Sequence, residues 1–98
     1  MTLEVHVGHE AEDEFRTAFL WYESKRAGLG DEFLLCVEAL FDTIARHPMR
    51  YRIVHEDIRK ALVRRFPYAV FYVPEPERIQ VIAIFHGSRD PRRWTVRG

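Results

Sequence analysis

The spacing of hydrophobic positions changes period along the chain. In "TLEVHV", Leu3, Val5 and Val7 alternate with Glu4 and His6, the period of a half-buried strand, and Gly8 ends it. From His9 to Ala27 the apolar positions become Ala11, Phe15, Ala18, Phe19 and Tyr22, a single helical stripe. Glu10, Glu12, Asp13 and Glu14 crowd the start of that helix and Lys25 and Arg26 its end, as the helix dipole favours. "GLGDEF" then turns the chain, with Gly28 and Gly30 suited to positive φ and Asp31 to capping the next helix. Phe33, Val37, Leu40, Phe41 and Ile44 form a second stripe, and Pro48 predicts its end near His47.

Two amphipathic helices joined by a short glycine turn predict an antiparallel hairpin whose apolar sides need a common support. Three predicted strands follow: "IRKALVRRF" (Ile58–Phe66), "YAVFYV" (Tyr68–Val73) and "RIQVIAIFH" (Arg78–His86), with Pro67, Pro74 and Pro76 at their limits. The last strand is apolar on both sides: Ile79, Val81, Ala83 and Phe85 on one, Ile82 and Ile84 on the other. It is therefore expected inside the sheet. The whole chain, 1–98, reads as one α+β domain, an N-terminal strand and a helical hairpin packed on one face of a small, mainly antiparallel sheet. The opposite face is left for the chain's own tail or for a partner.

Composition supports a folded domain: 98 residues are 47% hydrophobic, with seven Phe, four Tyr and two Trp. One cysteine, Cys36, excludes an internal disulfide framework and reads as a packing residue. No apolar run reaches the roughly 20 residues of a membrane span, and no signal segment is legible, so a cytoplasmic protein is expected. The formal charge is zero, yet residues 1–49 hold four Lys/Arg against ten Asp/Glu, while residues 50–98 hold eleven against five. Because charges act locally in salt, the second half can meet an anionic partner although the molecule is neutral. Pairing of acids and bases across the fold is the alternative.

The candidate contact groups lie in that basic half: Arg59, Lys60, Arg64, Arg65, Arg89, Arg92 and Arg93, with aromatic rings interleaved and Trp94 close behind. "HGSRDPRRW" adds a possible proton carrier in His86, against which stands an ordinary hydrogen-bonding role. The histidines lack metal-ligand spacing, and no glycine-rich phosphate loop occurs, so neither a metal nor another cofactor is expected. Leu20 and Leu35 point away from their helical stripes and Trp21 sits on a flank, a hint of a protein-binding patch.

"WYESKRAGLGDEFL", "HPMRY", "IRKALVRRFPYAVFYV" and "RIQVIAIFHGSRDPRRW" together resemble the RelE/ParE superfamily of type II toxin–antitoxin systems, from about Ala11 to Trp94. The resemblance implies a small toxin, a helical hairpin on an antiparallel sheet, and a cognate antitoxin that wraps it; Leu20, Trp21 and Leu35 are its expected docking residues. RelE-like members cleave mRNA on the ribosome. In that branch Lys60 and Arg64 match the basic strand positions and Arg89 the later arginine, with His86 a substitute proton carrier. Ala69 and Trp94, however, stand where that branch has a strand arginine and a terminal tyrosine. Alanine and indole supply neither a proton acceptor nor a cation for phosphodiester cleavage. These departures resemble the ParE-like branch, whose members bind and inhibit DNA gyrase and need no catalytic residues. A non-toxic interaction domain is a third reading.

Overall fold

The computed structural model describes residues 2–88. Along them run β1 (Glu4–Val7), α1 (His9–Lys25), α2 (Leu29–Arg46), β2 (Ile53–His55), β3 (Ile58–Leu62), β4 (Tyr68–Pro74) and β5 (Arg78–His86). The strands form one sheet in the order β1-β5-β4-β3-β2, antiparallel except for the parallel β1–β5 pair. This is the expected α+β arrangement, with three adjustments.

First, the edge strand β2 has no sequence expectation behind it. It is three residues long and joins β3 through an irregular register, too short for alternation to reveal. Second, β3 stops at Leu62 rather than Phe66. Arg65 takes φ 71°, which no strand tolerates, and the Val63 amide closes the turn by donating to the Tyr68 carbonyl at 2.9 Å.

Third, β5 does not keep one set of residues on one face. Phe71 pairs with Ala83 but Tyr72 pairs with Val81, so Ile82 is an extra residue, a β-bulge. The bulge reverses the alternation. Ile79, Val81 and Ile84 join the core beneath the helices, whereas Ala83 and Phe85 turn to the other face with Ile58, Ala69 and Phe71. Past Val81 the short strand β1 has ended, and the Ile84 amide on that side donates to Glu14 of α1 at 3.0 Å. A helical carboxylate thus replaces a missing strand neighbour.

The helix stripes bury as expected: Ala11, Ala18 and Tyr22 of α1 and Phe33, Val37, Leu40 and Ile44 of α2 pack on Ala61, Val70 and Tyr72. Phe33 is the hub, with its ring 5.1–5.4 Å from those of Phe15, Tyr22, Phe66 and Tyr68. The helices meet closely at Gly30, which lies inside α2 rather than in the turn. Gly28 carries the turn's positive φ, 88°. Asp31 is not the cap; Glu23 of α1 accepts the amides of Gly28, Gly30 and Asp31 at 3.2, 2.7 and 3.3 Å. The opposite face of the sheet is also not open at its centre, because Ala69, Phe71, Ala83 and Phe85 are all buried.

Candidate macromolecular contact surface

The basic side chains of β3 and its flanks have separate fates, decided by register. Arg59 and Ala61 lie on the helix side, Ile58 and Lys60 on the other. Arg59 turns inward and donates to the carbonyls of Tyr51 at 2.6 Å and Met49 at 3.4 Å. Tyr72, opposite it, donates to the Pro48 carbonyl at 2.6 Å, and burial pushes its phenol up to about 12 despite the neighbouring guanidinium. Tyr72 from the core and the half-buried Arg59 thus both bind backbone carbonyls of the segment 48–51.

Lys60 extends across β4, its ammonium 5.9 Å above the Phe71 ring, and donates to the Gly87 carbonyl at 2.7 Å. His86 pairs with Tyr68, on the helix side. Its Nδ1 lies 2.7 Å from the Ser88 hydroxyl and accepts the Ser88 amide at 3.2 Å. Lys60 and His86 therefore leave the sheet from opposite faces, although the Lys60 ammonium reaches the residue that follows His86. Ala69, where a nuclease arginine would stand, is buried.

Arg65 and Arg64 part company at the end of β3. Arg65 pairs with Glu32 at 3.0 Å, and Arg26 reaches the other oxygen of the same carboxylate at 3.0 Å. Hydrogen bonds from Arg26 and then from Arg65 hold the Glu32 carboxyl below its ordinary value of 4.5. The ion-pair contribution is complete above that value and is lost as pH falls through the lowered one. A carboxyl NMR titration should therefore find the Glu32 midpoint below 4.5, and Arg65→Ala should move it part of the way back; an unmoved midpoint would remove Arg65 from the clasp.

Arg64 instead borders a groove of about 360 Å³ between the outer side of α2 and the exit of β3, lined also by Leu35, Cys36, Ala39, Thr43 and Leu62. Leu35 and Leu62 are 65% and 66% exposed there. Leu35 was expected at a protein contact; Leu62 was missed, although it shares the parity of Lys60 and so had to face away from the helical core. The pairing of β2 with β3, including the Lys60 amide donating to the Arg52 carbonyl at 3.1 Å, brings the exposed Arg50 and Arg52 to the same edge of the sheet, with exposed Met49 and Ile53. On α1, Leu20 and Trp21 are exposed, Trp21 standing edge-on to Tyr22 with the Lys25 ammonium 4.9 Å from its centre. Arg89, Arg92, Arg93 and Trp94 lie outside the described residues.

Among the described residues no group of three or more His, Cys, Asp or Glu is placed to hold a metal ion, and no helix is long and apolar enough to cross a membrane. Among the described residues the surface offers cations and apolar side chains, both able to contact another macromolecule.

Comparison with known proteins agrees with this architecture. The model of a family described as the ParE toxin of type II toxin–antitoxin system, parDE, matches residues 5–91. Among solved structures, the chromosomal ParDE TA system from P. aeruginosa superposes with a TM-score of 0.76 at 9% identity, over 87% of this chain and 96% of that one. At that identity the likeness is one of fold. No curated protein matches.

Proposed function

Because the chain belongs to the ParE toxin family of type II toxin–antitoxin systems, we propose that it acts by binding DNA gyrase and is silenced by an antitoxin laid along the α2–β3 groove. The observation that carries this reading is the groove itself: two exposed leucines beside the guanidinium of Arg64. An amphipathic segment with apolar residues and a carboxylate is its complement. The sheet edge with Arg50 and Arg52 supplies contacts for gyrase or for the DNA it holds. Binding is favoured over ribosomal mRNA cleavage by two features. Ala69 is buried without a functional group, and Lys60 and His86 start from opposite faces of the sheet, the Lys60 ammonium being taken up by the Gly87 carbonyl.

The purified chain is expected to inhibit gyrase supercoiling and to leave transcripts on translating ribosomes intact; the reverse pattern would end the gyrase reading. Leu62→Asp puts a carboxylate into the groove without touching the core. It should weaken antitoxin binding at least tenfold, about 1.4 kcal/mol, in a calorimetric titration. Unchanged affinity would move the antitoxin elsewhere, Leu20 and Trp21 being the next surface to test.

A further inference from the structure

On the other flank of α2, toward α1 and β1, lies a slot of about 180 Å³. Phe15, Leu34, Val37, Phe41 and Ile84 form its walls, and Glu12 and Glu38 also line it. A dry cavity of about 150 Å³ holds a benzene molecule, so this one has room for one large apolar side chain. Its charge is opposite to that of the α2–β3 groove. Glu12 makes only a long contact, 3.5 Å, with Arg16, whose other amine pairs with Asp13 at 2.9 Å. Glu38 is exposed and has no ion pair among the described residues.

We propose that this slot receives a single leucine or aromatic side chain of a polypeptide partner whose neighbouring residue is a lysine or arginine. The apolar side chain displaces water from walls that cannot hydrogen-bond it, and the adjoining cation meets Glu12 and Glu38 at the entrance. Neither half suffices: a slot for one side chain gives weak binding, and exposed carboxylates alone select little. Together they discriminate by charge next to a hydrophobic anchor. The inference concerns partner chemistry and does not depend on gyrase being the toxin's target.

The test uses two dipeptides, acetyl-Phe-Lys-amide and acetyl-Phe-Glu-amide, titrated into the methyl-labelled chain by NMR. The lysine peptide should shift the methyl signals of Leu34, Val37 and Ile84, with an affinity at least about fivefold above that of the glutamate peptide. In the Glu12→Gln/Glu38→Gln variant that preference should vanish while the fold persists, since both side chains are exposed. Failure of both peptides to shift these methyls would overturn the proposal, as would equal shifts by both in the unaltered chain. Shifts of the same methyls on raising protein concentration alone would assign the slot to a second copy and likewise overturn it.

Discussion

Phe33→Ala is expected to lower folding stability by about 3–5 kcal/mol, the usual cost of emptying a large buried aromatic site. Phe33 is fully buried and sits among four rings, one stacked on it at 11° and three tilted or edge-on. Two of those rings, Phe15 and Tyr22, belong to α1, and two, Phe66 and Tyr68, to the turn and strand after β3. Its removal therefore loosens the hairpin and its seat on the sheet together. A domain of this size has about 5–15 kcal/mol in total. The urea midpoint should fall sharply with little change in slope. A loss below about 1.5 kcal/mol would mean that the neighbouring rings close the void, and the hub description would be wrong.

Gly30→Val should cost about 2–3 kcal/mol although valine forms helices better than glycine does. A Cβ at this position would stand 2.6 Å from Cγ of Glu23 and 2.8 Å from the Phe19 carbonyl oxygen. The carbonyl is backbone and cannot swing aside, so the helices must part, which costs about 1–3 kcal/mol. Displacing Glu23 also removes the acceptor of three amides at the start of α2, worth about 1 kcal/mol more. The gain in helix propensity, about half a kcal/mol, does not offset these losses. Glu23→Ala separates the two effects. It should lose only the capping part in the same melt, and equal losses in both variants would remove the steric argument.

The helices were legible because each is a long element with one buried stripe, and the stripes through Ala11–Tyr22 and Phe33–Ile44 are those that pack. The three long strands were legible for a similar reason. What escaped depends on single residues. One bulged isoleucine reverses the faces of β5, and alternation is blind to an insertion it cannot see. The cap of α2 comes from Glu23, across the turn, where local reasoning looked to Asp31. The grouping of the basic side chains was the least legible. Arg59, Lys60, Arg64 and Arg65 look like one cationic cluster in sequence, yet pleat and turn send them to a half-buried backbone clamp, the far face, a groove and an ion pair. Parity could separate Arg59 from Lys60, but nothing local marks the positive φ of Arg65 that ends the strand.

The parallel pairing of β1 with β5 also bears on how the molecule comes into being. Val5 lies beside Ile79, so the first strand waits for the last before it has a neighbour in the sheet. The hairpin closes through near-neighbour contacts and can assemble early, while the sheet must gather segments from both ends of the chain. On a ribosome emitting residues in order, the helices emerge with their oily sides uncovered and no completed platform beneath them. A nascent chain therefore passes through an interval in which its apolar helix faces are exposed before the native surface exists.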